Sequence, residues 1–211
     1  MIKNKIKYMA LMIMLVFSIL FLETKGIDKL IWKTIASTIF TTIGFIHYDN
    51  HNHSIWMLVG IFYSFVADVL LELNFIFGAI AFALAHVFFF ISYSKIQKIN
   101  KKDIIYGVSL FIFILTPLII FVNYIKPIGS TMLIVGIAYC IIISLMTGKS
   151  ISNYLNDKSN LNKVILIGAL LFFISDIFLI LNLFGGFIVF RYPNVITYYI
   201  SMYYLAISIN K

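Results

Sequence analysis

The chain has 211 residues, of which 62% are hydrophobic and only 11% charged. A soluble domain carries about twice that charge, and no polar stretch is long enough to form one, so residues 1–211 read as a single membrane domain. The net charge of +8 does not point to nucleic acid, because the lysines are scattered through short connections and form no basic face.

At about 20 residues per helical crossing there is room for eight spans. The apolar runs fall at residues 8–22, 30–46, 55–71, 76–93, 104–122, 128–146, 164–183 and 195–209. The runs do not alternate apolar with polar residues, which excludes barrel strands and leaves helices, the other way to satisfy a backbone in lipid. The expected fold is all-α, a polytopic membrane protein of eight transmembrane helices. Lys3, Lys5 and Lys7 precede the first run as in a signal peptide, but its end, Leu20-Phe21-Leu22-Glu23, offers no small-residue cleavage site, so a retained span is expected. Lys and Arg divide 11 to 5 between the two sides, with Lys3, Lys95, Lys98, Lys149 and Lys163 among the majority and Lys25, Lys29, Lys33, Lys126 and Arg191 forming the minority. This places both termini in the cytoplasm of a multi-pass protein of the cell membrane. Cys140 is the single cysteine, which excludes an intrachain disulfide.

Spans three and seven share a pattern. Gly60, Phe65, Asp68, Leu71, Leu73 and Asn74 recur at one constant offset as Gly168, Phe173, Asp176, Leu179, Leu181 and Asn182. Four spans separate the copies, so both run in the same direction, as in a parallel repeat of two four-helix halves. Asp68 lies 13 residues beyond Ile55, about 20 Å along a helix, and Asp176 lies 12 beyond Val164. The other acids, Glu23, Asp28, Asp49, Asp103 and Asp157, read as loop residues, and Glu72 as a helix end that reaches the interface.

A carboxylate in hydrocarbon costs roughly 2.5–3.5 kcal/mol on insertion scales, so two at matched depth imply a task. Burial disfavours the charged form of a carboxyl, and a second carboxylate nearby disfavours it further. One aspartate can then hold a proton while its partner activates water. The bland alternative is an interhelical hydrogen bond or a pairing with Lys33. Lys33, near the start of span two, is either a snorkelling lysine or a phosphate anchor. His86 is either a packed or a functional histidine. Tyr139, Asn182, Tyr198 and Tyr199 are candidates to line a cavity. His47, Asp49, His51 and His53 match no compact ligand motif, so neither metal nor cofactor is expected. The serine-hydrolase elbow, the zinc-protease motif and the phosphate-binding loop do not occur.

These residues resemble the YhhN-like lysoplasmalogenase family. The resemblance rests on Trp32-Lys33, Ala67-Asp68, Ala85-His86, the segment from Gly168-Ala169 to Ser175-Asp176, and Tyr198-Tyr199, in consistent order over spans two to eight. Departures are Thr34 for a proline, Ala67 for a glycine, Met202 for a glutamine and Phe89 for a hydroxyl-bearing aromatic. The resemblance implies a membrane hydrolase that cleaves the vinyl ether bond of lysoplasmalogens to a fatty aldehyde and a glycerophospho-choline or -ethanolamine. Asp68 and Asp176 would be catalytic, and Lys33, His86, Tyr139, Asn182, Tyr198 and Tyr199 would bind the substrate, a lysophospholipid taken from the surrounding membrane lipids. The competing reading is a small transporter that uses the aspartate pair for proton or cation coupling.

Overall fold

The computed structural model describes residues 2–120 and 130–210, with side chains over 9–116 and 131–210. Lys126 and the expected span ends at 121–122 and 128–129 lie outside the described residues. Among the described residues there are eight α-helices: α1 (Ile2–Glu23), α2 (Gly26–Ile46), α3 (Ser54–Leu73), α4 (Phe75–Ile96), α5 (Lys101–Ile120), α6 (Ser130–Asn156), α7 (Asn160–Leu183) and α8 (Arg191–Ile207). A 3-10 turn, Ile188–Phe190, leads into α8.

Local chemistry sets the breaks. Gly26 takes φ +63, the left-handed region open to glycine, and turns the chain between α1 and α2. The Asn74 side chain accepts hydrogen bonds from the backbone N–H of Ile76 (3.0 Å) and Phe77 (3.3 Å), so α4 starts one residue after α3 stops. Its counterpart in the repeat, Asn182, lies inside α7, so the last echoed position serves two different purposes. Asp49 accepts from the His51 N–H at 3.1 Å and from the Ser54 hydroxyl, which ties the turn before α3.

Among the described residues four helices are long and apolar enough to cross a membrane: Ser54–Leu73, Phe75–Ile96, Thr131–Asn156 and Asn160–Leu183. α2 and α8 are less apolar for a local reason. α2 carries Asp28, Lys29 and Lys33 with a run of threonines and Ser37, and α8 has only 17 residues and begins Arg191-Tyr192-Pro193-Asn194. Both pack against the long spans with part of their polar residues turned inward, Lys33, Ser37 and Ser201, while Asp28, Thr38 and Thr42 stay exposed.

Consecutive helices pack on each other within α1–α4 and again within α5–α8. The halves are joined crosswise, α2 against α8 and α4 against α6. Small residues mark the closest approaches. A Cβ on Gly60 would lie 2.6 Å from the Phe89 ring of α4, and one on Gly168 would lie 2.7 Å from the Leu205 side chain of α8. The echoed glycines thus do the same job, each admitting the fourth helix of its own half.

α6 corrects the expected boundaries. It runs to Asn156, ten residues past the expected end at 146, and Lys149 is fully buried in it rather than placed in a loop. The Lys149 ammonium donates to Asp103 Oδ2 at 2.9 Å and to the Lys98 carbonyl at 3.0 Å. Asp103, read as a loop acid, lies in the first turn of α5 and is 2% exposed. Asp28 likewise opens α2. The polar end of α6 was misread because its charge is cancelled by a partner 46 residues away, which no hydropathy window contains.

The tightest helix crossing gives a test of the packing. A Cβ on Gly148 would stand 2.4 Å from the backbone N of Gly107, whereas one on Gly136 would meet nothing within 4 Å. Gly148→Leu is expected to destabilise by about 1–3 kcal/mol or more, the range for overpacking, and to lower the melting temperature in detergent. Gly136→Ala is expected to be neutral or slightly stabilising in the same melt.

Candidate functional site

Asp68 and Asp176 sit near the ends of unbroken helices, five and seven residues before the last residues of α3 and α7. Both line one cavity of about 380 Å³. It lies among the C-terminal ends of α1, α3 and α7 and the N-terminal halves of α2, α4, α6 and α8, all toward one end of the bundle. That volume is at the lower end of the usual range for small-molecule sites.

Its walls are divided. Phe21, Leu71, Phe75, Phe82, Phe172 and Leu179 supply apolar surface. Lys29, Lys33, Glu72, Arg191 and Asn194 supply a charged and polar rim. Lys29 bonds Glu72 Oε2 at 2.6 Å, and Lys33 bonds Glu72 Oε1 at 3.0 Å and lies 3.7 Å from Asp68 Oδ1. Both ammonium groups stand over the Phe21 ring, at 5.0 and 5.1 Å from its centre. Arg191 donates to the Leu22 carbonyl, which fixes the guanidinium beside α1.

The two carboxyls are held differently. Asp68 Oδ2 accepts from the Ser37 hydroxyl at 2.5 Å and from the Tyr198 hydroxyl at 2.8 Å, while Oδ1 faces Lys33. The Tyr199 hydroxyl lies 3.4 Å from Ser37 Oγ, one step behind. Asp176 Oδ2 accepts from the Tyr139 hydroxyl at 2.6 Å. Behind Tyr139 stands His86, with Nε2 2.9 Å from the phenol oxygen. Since Tyr139 gives its proton to Asp176, Nε2 carries the imidazole hydrogen and donates to Tyr139. Nδ1 is then a bare acceptor, and it has no partner among the described residues.

An aromatic partition separates the two grips. The Phe172 ring is 4.5 Å from His86 and 5.3 Å from Tyr198, both edge-on, and Phe82 packs against Tyr198 at 5.6 Å. Seven of the eight residues that the sequence points to as a site line the cavity, Lys33, Asp68, Tyr139, Asp176, Asn182 and Tyr198 among them. Tyr199 lines it as well. His86 does not. It is fully buried one layer back, so its contact is with Tyr139 rather than with the cavity.

Glu72, Lys29, Arg191 and Ser37 were not singled out. Glu72 in particular faces the cavity, bridging two lysines. The sequence did carry a signal for three of these. Lys29, Lys33 and Ser37 are spaced by four, as are Asp68 and Glu72, and residues four apart share a helix face. Arg191 carried none, since its place depends on how α8 enters.

Among the described residues no group of three or more His, Cys, Asp or Glu side chains is gathered to hold a metal ion. At the His47–His53 turn, His51 Nε2 lies 3.5 Å from Asp49 and stacks on His53. Comparison with curated proteins and with solved structures found no match. A family model described as the YhhN family matches residues 28–209, which takes in α3, α4, α6, α7 and α8 and every cavity residue from Lys29 onward. The chain belongs to the YhhN family.

Proposed function

We propose that this protein is a membrane hydrolase that cleaves the vinyl ether bond of lysoplasmalogens, releasing a fatty aldehyde and a glycerophospho-choline or -ethanolamine. The observation that carries the reading is the pairing of two buried carboxyls with a cavity that is apolar inside and cationic at its rim. Membership of a family associated with lysoplasmalogenase activity supports it.

The chemistry suits these groups. One carboxyl protonates the alkenyl carbon, which converts the vinyl ether to a resonance-stabilised oxocarbenium ion. The other takes a proton from water as the water adds, and the resulting hemiacetal collapses to aldehyde and alcohol. General acid and base catalysis by two carboxyls suffices for these steps. The lysophosphate would meet Lys29, Lys33 and Arg191 at the rim, and the alkenyl chain would leave between the apolar helices. The transporter reading is weaker because α3 and α7 continue unbroken past both aspartates, whereas coupling sites are commonly built on interrupted helices.

The same reading takes all eight helices as spans, both termini as cytoplasmic, and the two halves as a parallel four-helix duplication. The matched roles of Gly60 and Gly168 and the repeated packing order support the duplication. With that orientation the cavity opens toward the outer side, where lysolipid is drawn from the leaflet.

Three outcomes are expected. Asp68→Asn and Asp176→Asn, each folded by its melting curve, should retain less than about a tenth of aldehyde release, since general acid/base catalysis contributes 10²–10⁴-fold. Product analysis by mass spectrometry on matched alkenyl, alkyl and acyl lysolipids should find only the alkenyl lipid cleaved. The saturated ether has no route to the cation, and the acyl ester needs a nucleophile and an oxyanion hole; equal or faster acyl hydrolysis would overturn the assignment. Steady-state kinetics should separate the two lysines. Lys29→Ala, which loses a rim charge, should raise KM about tenfold with kcat little changed. Lys33→Ala, which also strips the cation beside Asp68, should lower kcat as well.

A further inference from the structure

The two aspartates occupy shells of different kind, and this decides which of them holds the exchangeable proton. Asp68 has what an ionised carboxylate needs away from water. Two hydroxyls donate to Oδ2, and the Lys33 ammonium stands 3.7 Å from Oδ1. An unpaired buried charge is costly, whereas a paired and hydrogen-bonded one is tolerated. Asp176 accepts from the Tyr139 hydroxyl on Oδ2, its other neighbouring hydroxyl, Ser175, already donates to the Phe172 carbonyl at 2.7 Å, and no lysine or arginine among the described residues lies within ion-pair distance. Its nearest cationic candidate is His86 at 3.9 Å. That imidazole packs edge-on against Phe172 with Nδ1 unpartnered. A second proton on Nδ1 would be a buried donor with nothing to receive it, so His86 is neutral and offers no countercharge. Oδ2 is the oxygen that Tyr139 holds, and Asp176 borders the cavity.

We infer that Asp176 is the proton-bearing acid and Asp68 the ionised base of this site, with His86 a positioning residue that fixes Tyr139 on Asp176 Oδ2 and leaves the acidic hydrogen on Oδ1. The assignment of catalytic steps rests on the vinyl ether reading; the assignment of the resting proton does not. In the first step the Oδ1–H bond of Asp176 breaks and a C–H bond forms at the alkenyl carbon beta to oxygen. The alkene electron pair supplies that bond, and the ether oxygen lone pair closes the oxocarbenium ion. Water then forms a C–O bond at the cation, and its proton passes to Asp68. In the last step Asp68 returns that proton to the leaving glycerol oxygen as the C–O bond breaks. The hemiacetal hydroxyl gives its proton to Asp176 as the carbonyl forms. Both carboxyls return to their starting states, and one water is consumed.

The test has two arms on the full-length protein in lipid nanodiscs. The first is infrared spectroscopy without substrate at neutral pH, which reads the carbonyl stretch of a protonated carboxyl directly. That band, shifted by ¹³C-aspartate labelling, should be present in the wild type, retained in Asp68→Asn and lost in Asp176→Asn. Its absence from the wild type, or its loss in Asp68→Asn with retention in Asp176→Asn, overturns the proton assignment whatever the substrate. His86→Phe, which keeps an aromatic ring against Phe172, should keep the band but shift its frequency, because Tyr139 loses its orienting donor; an unshifted band removes the positioning role. The second arm adds azide to Asp68→Ala and Asp176→Ala with an alkenyl lysolipid. Azide needs no base to attack the cation and forms a C–N bond there, giving an α-azido ether, so consumption of the lysolipid by Asp68→Ala should rise at least ~10-fold, a fraction of the usual 10²–10⁴-fold acid/base contribution. It should not restore Asp176→Ala, where no cation forms. Rescue of Asp176→Ala alone, or of neither, refutes the catalytic roles. A wild type that carries the band but releases no aldehyde would instead bring down the substrate reading and leave the proton assignment standing.

Discussion

The constraint on which the site depends is the placement of Asp68 inside an apolar bundle. A carboxylate there survives only with donors and a countercharge at hand. Asp68 obtains them from two helices that the rest of the chain has to bring in: Lys33 and Ser37 from α2, and Tyr198 from α8. This explains why those two helices are the less apolar members of the bundle. Their Lys33, Ser37 and Tyr198 side chains are turned inward on an acid, and the long spans α3, α4, α6 and α7 supply the lipid-compatible bulk around them.

The second grip follows the same plan with different atoms. Each aspartate sits on the third helix of its half. Each is held by a residue from the second helix of that half, Ser37 or Tyr139, and approached by one from the fourth helix of the other half, Tyr198 or His86. The crosswise packing of α2 on α8 and of α4 on α6 is what makes this possible. Where the halves differ is in charge. The Lys29–Glu72–Lys33 chain lies on the Asp68 side, and the Asp176 side has no counterpart among the described residues. Two halves with the same packing order thus carry an asymmetric pair of carboxyls, as the acid and base roles of the proposed function would require.

At the opposite end of the bundle, Lys149 and Asp103 form a buried pair that touches no part of the cavity. Together with the contact of Gly148 on Gly107, it locks α5 against α6. Removing one partner of such a pair typically costs 3–5 kcal/mol, so its role is to hold the second half together. These two ion-pair systems therefore have separate jobs, one in the frame and one in the cavity.

The sequence by itself determined the class of the molecule, its helical content and the importance of two residues. Uninterrupted apolar runs admit only helices in lipid, and an acid within such a run is costly enough to stand out without any structure. The spacing by four of Lys29, Lys33 and Ser37, and of Asp68 and Glu72, also made two polar faces legible, although not that they meet. Only the tertiary structure decided which charges are paired. It moved Lys149 and Asp103 from loops into a buried bond, set Glu72 between two lysines at the cavity, and set His86 behind Tyr139, one layer back from the cavity. Each of these depends on a partner dozens of residues away. Hydropathy and periodicity report the cost of a polar group where it stands in the chain, but the compensation for that cost is a contact between helices, and only the packing of the helices can supply it.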